Sequence, residues 1–137
     1  MNRVIVMTHG DLADQLLKTV SLFLGPCENV GVFNLLDDPE ALRTALRAEL
    51  TGGEDADYLL LVDLFGGTPF NIAASLLGEA KAAGKRVELI TGVNLPMLME
   101  VIPNIEDSTF EELKQTAYEE GRLGIRDLLA ELNQQRT

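Results

Sequence analysis

Cysteine and histidine are almost missing from this chain of 137 residues, which has only Cys27 and His9. A single cysteine excludes an intrachain disulfide and a thiolate zinc cluster, and a single histidine excludes a multi-histidine metal centre. Basic residues are also scarce, 11 against 22 acidic, for a formal charge of −11. Such a chain is repelled by nucleic acid and by an anionic membrane surface, so neither is expected as a partner. No run approaches the ~20 apolar residues that span a bilayer, and the apolar start is too short for a secretory signal. There is no nucleotide-binding P-loop, internal repeat, low-complexity tract or dividing linker. The expectation is one acidic, cytoplasmic domain over residues 1–137, long enough to bury a full core.

What is present alternates. "RVIVM" is a short, continuous apolar run rich in β-branched residues, the pattern of a parallel strand buried on both faces. Leu12, Leu16, Leu17 and Val20 then recur at helical spacing until Gly25 and Pro26. A second strand is predicted over residues 29–35, followed by a helix with Pro39 in its first turn. "YLLLVD" at 58–63 is the most apolar strand and is expected at the centre of the sheet. A helix over about 69–83, a strand over 86–92 and a short helix with Pro96 near its start follow. The last clear helix begins at "STFEE", with Ser108 as N-cap and Glu111 completing a capping box. Four strand–helix units predict an α/β fold, doubly wound, with an open and mostly parallel sheet. "GIRDLLAELNQQ" reads as helix by local propensity, although "LGIRDLL" is short enough for an edge strand.

In an open α/β sheet, ligands bind beyond the carboxyl ends of the strands. That rule selects His9 after the first strand, Asp63 at the end of the third, "FGGTPFN" after it and "TGVNLPM" after the fourth. Gly66 and Gly67 let the backbone approach a ligand closely, and Thr68 as N-cap with Pro69 as N1 would aim free amides at the site. A carboxylate on one imidazole nitrogen fixes the tautomer and leaves the other nitrogen as a directed nucleophile. Taken singly, His9 reads rather as a hydrogen-bonded strand end, Asp63 as a strand terminator and the two glycines as a tight turn. Together on one edge, they point to phosphoryl chemistry. Thr8, Gly10, Phe65, Asn71 and Asn94 are weaker supporting candidates, chosen by position alone.

"VIVMTHGDLADQLLKTVSLFLG", "LLLVDLFGGTPFNIA" and "ITGVNLPMLMEVI" resemble the mannose-class IIA proteins of the phosphoenolpyruvate-dependent sugar phosphotransferase system. The resemblance runs from about residue 2 to residue 130 and keeps the order and spacing of all three motifs. It implies that His9 takes phosphoryl from the carrier HPr and passes it to a IIB protein. It further implies that Asp63 orients and charges the ring, and that Gly66, Gly67 and Thr68 surround the phosphoryl group. Phe65 and Thr68 stand where some relatives have Trp and Ser, which preserves an aromatic wall and a hydroxyl. Many relatives carry IIB on the same polypeptide; here a separate IIB protein is expected, with membrane IIC and IID components reached only through it. The family is dimeric, and the resemblance implies an antiparallel C-terminal edge strand within residues 123–129, exchanged between subunits. No metal or other cofactor is expected.

Two other destinations are open to the same fold. A closely similar IIA-like subunit feeds a dihydroxyacetone kinase, and a lone IIA protein can act as a regulator read by protein partners. A phosphate-binding α/β module with a structural His9 is the non-enzymatic alternative.

Overall fold

The computed structural model describes residues 1–52 and 54–135. Four strands are formed by the apolar runs: β1 (Asn2–His9), β2 (Val30–Leu35), β3 (Asp57–Val62) and β4 (Arg86–Ile90). The helices are α1 (Leu12–Leu24), α2 (Pro39–Thr51), α3 (Thr68–Ala82), α4 (Leu95–Val101), α5 (Phe110–Leu123) and α6 (Leu128–Gln135). All strands pair in parallel in the order β2-β1-β3-β4, with Val6 facing both Val32 and Leu61 in register.

The period-two alternation of each central strand divides the core into two layers. Val4, Val6, Leu59 and Leu61 pack beneath α1, α4 and α5, against Ala13, Val20, Leu98 and Leu113. Ile5, Met7, Leu60 and Val62 face the other way, onto Leu42 and Leu46 of α2 and Ile72 and Leu76 of α3. Each such leucine or isoleucine contributes about 1.5–3 kcal/mol by leaving water. The middles of β1 (Val4–Met7) and β3 (Tyr58–Val62) are therefore buried on both faces, whereas β2 and β4 lie at the sheet edges and are only half-buried.

This winding positions the site. α1 leaves β1 toward one face of the sheet, and α3 leaves β3 toward the other. Because β1 and β3 are neighbours, their carboxyl ends open a crevice between two diverging loops, the switch point where such sheets bind ligands.

Two expectations are corrected. Thr109, not Ser108, caps α5: its Oγ1 accepts from the Glu112 N–H at 3.1 Å, while the Ser108 carbonyl is taken by Asn2 Nδ2 at 2.8 Å. The tether from β1 thus holds Ser108 outside the helix by one residue. Residues 123–129 form no edge strand, and among the described residues the sheet ends at β4. The local propensity for helix prevails because Asp127 caps the turn, its Oδ1 accepting from Ala130 N and its carbonyl from Glu131 N, each at 3.0 Å. Arg126 adds a forked pair to Glu131 at 2.9 and 2.7 Å.

Candidate functional site

His9 is the last residue of β1, two residues beyond Met7, and Asp63 is one residue beyond Val62, in the Met7–Val62 pair that joins β1 to β3. The backbone therefore delivers Asp63 beside it. One carboxylate oxygen, Asp63 Oδ2, meets both the His9 backbone N–H at 3.0 Å and His9 Nδ1 at 2.9 Å. An ionised carboxylate only accepts, so the proton of the neutral ring sits on Nδ1 and the lone pair on Nε2. Asp63 Oδ1 is buried and has no hydrogen-bond partner among the described residues. The two donors that Asp63 does receive both come from His9. The side chains differ in exposure, 44% for His9 against 13% for Asp63, so the pair has a protected base and an accessible nucleophilic face.

The Cε1–Nε2 edge of the ring lies against the start of α3. A Cβ at Gly67 would stand 2.7 Å from His9 Cε1 and 3.2 Å from Nε2, closer than any side chain permits. Gly67 is thus required for approach to the imidazole. Its own N–H is not free for a ligand, because it donates to Leu64 O at 3.1 Å. Gly66 has φ +80° and occupies the third position of that closed turn, the place where a type II turn demands glycine.

Gly67, not Thr68, is the N-cap of α3, and Thr68 opens the helix as an exposed residue. Thr68 therefore has no capping role and follows directly on the glycine that touches the His9 ring. Gly10 has φ +56° and donates to Leu35 O at 2.7 Å, turning the chain sharply from β1 into α1. A side chain there would meet nothing within 4 Å, so its glycine answers to backbone conformation and not to crowding.

The weaker candidates separate. Thr8 is fully buried, and its Oγ1 accepts from Ala13 N at 2.7 Å, so it anchors α1 from below and does not reach the crevice surface. Asn94 caps α4, accepting from Met97 N at 2.9 Å, and donates to Gly121 O at 3.0 Å. Both of its polar ends serve the α4–α5 junction. Phe65 is 75% exposed and leans on Phe70, with ring centres 4.7 Å apart, forming an aromatic wall next to the site. Asn71 donates through Nδ2 to Gly66 O at 3.2 Å.

Residue patterns did not single out the rim. Leu12, Leu36 and Leu64 are exposed, each within a few residues of a strand end, and with Phe65 they surround His9 with apolar surface. Asp11, Asp14, Asp37, Asp38 and Glu40 lie on the same edge. Residues 8–16, 34–42, 63–72 and 91–97, which make that edge, contain no lysine or arginine. Each of these leucines reads as ordinary amphipathic patterning until the strand order is known. Beyond Phe65, Thr91 and Gly92 line a groove with Tyr118, Arg122 and Ile125 along β4. Among the described residues no group of three or more His, Cys, Asp or Glu side chains is placed to hold a metal ion.

A family model described as PTS system fructose IIA component matches residues 3–118. The chain is similar to the PTS system mannose-specific EIIAB component of Escherichia coli K12, 37% identical over 131 residues, which are 93% of this chain and 39% of that protein. It therefore spans well under half the length of that relative. It is also similar to the PTS system fructose-specific EIIA component of Bacillus subtilis, 32% identical over 116 residues, covering 82% of this chain and 77% of the other. Among solved structures, phosphotransferase system component EIIA from Streptococcus agalactiae superposes with a TM-score of 0.84 at 29% identity, over 95% of this chain and 99% of that one. Among the described residues no helix is long and apolar enough to cross a membrane.

Proposed function

The chain belongs to the IIA family of the sugar phosphotransferase system, and from that premise we propose that it is a cytoplasmic phosphorelay protein whose phospho-acceptor is His9. Phosphoryl arrives from the phosphohistidine of HPr and leaves to a IIB partner for sugar uptake. The observation that carries the reading is the pair His9 Nδ1 and Asp63 Oδ2 at 2.9 Å, which leaves an unprotonated Nε2 on a ring that is itself exposed.

The step balances simply. Nε2 attacks phosphorus in line, a new N–P bond forms, and the donor's N–P bond breaks with its electron pair returning to the donor imidazole. No proton has to move, since Nδ1 keeps its hydrogen toward Asp63. The ring gains positive character on phosphorylation, and the adjacent carboxylate stabilises it. Positioning and charge stabilisation are all that such a transfer asks of a protein. The Thr68 hydroxyl and the amino end of α3 supply the donors for the phosphoryl oxygens.

The rim supports a protein as the delivering group. Exposed apolar side chains beside acidic ones, on strand-end segments that contain no lysine or arginine, suit a partner with an apolar centre and a basic border. Incubation with phosphoenolpyruvate, enzyme I and HPr should place acid-labile phosphate on the chain, and His9→Ala should abolish it. Labelling that survives the substitution rejects the assignment. The names of the relatives, which specify mannose and fructose, favour this destination over a dihydroxyacetone kinase.

A homodimer is the second part of the proposal. Ile125, Leu128, Leu129 and Leu132 stand exposed on the C-terminal segment, and Ile125 lines the groove along the edge strand β4. A contiguous apolar surface of this kind marks an interface. Light scattering should give twice the chain mass, and Leu128→Glu with Leu129→Glu should give the monomer.

A further inference from the structure

The peptide unit joining Gly66 to Gly67 is held at both ends. Its N–H donates to Leu64 O at 3.1 Å, and its C=O accepts from Asn71 Nδ2 at 3.2 Å. Asn71 also donates its own backbone N–H to Gly67 O at 2.9 Å, so one residue in the first turn of α3 grips two successive carbonyls. This matters because glycine on both sides of a peptide leaves its plane free to rotate. The bare Cα of Gly67 is the wall on which the Cε1–Nε2 edge of His9 rests. A small rotation of that peptide shifts the wall by enough to release or crowd the ring.

We propose that Asn71 is a positioning residue: by pinning the peptide between Gly66 and Gly67, its side-chain amide keeps the His9 imidazole in the orientation that gives Nδ1 to Asp63 and leaves Nε2 facing outward. Asn71 itself is exposed, and among the described residues its side-chain amide donates to the turn. Its effect reaches the ring through Gly67. The role in transfer rests on the relay reading above, whereas the role in ring orientation does not depend on any partner.

The test uses the whole chain and two substitutions. Asn71→Asp keeps the shape but replaces the amide donor by an acceptor facing Gly66 O, and Asn71→Ala removes the group without adding charge. The ¹⁵N resonances of His9 should show a single Nδ1–H tautomer in the native protein and a mixture of tautomers in both variants. The rate of phosphorylation by phospho-HPr should fall about tenfold in Asn71→Ala, the scale of one hydrogen bond, and further in Asn71→Asp. Thermal midpoints should change little, which separates ring orientation from loss of fold. Native tautomer spectra in both variants overturn the proposal, as does a rate loss explained by a lowered midpoint with the spectra unchanged. If the native chain accepts no phosphoryl from HPr, the relay reading fails, and the spectra still decide the role of Asn71.

Discussion

A single oxygen of Asp63 binds His9 twice, at the backbone N–H and at Nδ1, 3.0 and 2.9 Å away. The first bond fixes where the strand ends and the second fixes how the ring is turned. Both are made across 54 residues of sequence, so a distant element of the chain sets the protonation pattern of the imidazole.

Removing the charge while keeping the shape isolates its contribution. Asp63→Asn can still offer an amide oxygen to both donors, but it cannot neutralise a phosphorylated ring. The rate of phosphorylation by phospho-HPr should fall about 10- to 100-fold, the range for a charge-assisted hydrogen bond. Rapid-quench measurement of the phosphoprotein checks this, and an unchanged rate removes Asp63 from the chemistry.

Gly67→Ala tests the close approach. Gly67 has φ −74° and ψ 171°, a conformation alanine adopts freely, so the effect is steric and not conformational. The added methyl group must displace an imidazole 2.7 Å away. Transfer should drop between about tenfold and a hundredfold, as misplaced reacting groups do, with native circular dichroism and an unchanged thermal midpoint.

Thr8→Val should act on stability. The hydroxyl is the acceptor for Ala13 N at the buried start of α1, and valine leaves that donor unsatisfied. The cost is about 1–3 kcal/mol, readable as a lower urea midpoint with the slope preserved. A midpoint equal to that of the native protein contradicts the anchoring role.

Tyr58 gives stability an alkaline limit. Burial first, and the nearby Glu49 and Glu54 carboxylates second, raise its phenol above the ordinary value of about 10. The folded chain therefore holds this proton more tightly than the unfolded chain. Its contribution to stability is complete below pH ~10 and is lost as pH rises from there through the folded value. Urea midpoints measured across that range should fall, and Tyr58→Phe should flatten the decline; an equally steep fall in the variant assigns it to another group.

Much of this was legible in residue order because the physics is local. Apolar runs with β-branched residues fixed the two central strands, glycines ended the helices, and strand ends necessarily brought His9 and Asp63 to one edge. Helical propensity and the Asp127 cap likewise decided residues 128–135, against the edge strand implied by family resemblance. Side-chain destinations were another matter. Thr8 and His9 are adjacent, yet one is sealed under α1 and the other is open, because Thr8 points to the α1 face while His9, on the opposite face, is the last residue of the strand and stands at its open carboxyl end. Asn94 resembles a site residue until the Gly121 carbonyl arrives from 27 residues away to occupy its amide. Thr68 reads as the N-cap of α3 until the turn that closes from Gly67 N to Leu64 O makes Gly67 the cap. Propensity and periodicity act over a few residues and specify elements. Hydrogen bonds between distant segments assign each polar atom its partner, and only the packed sheet brings those segments together.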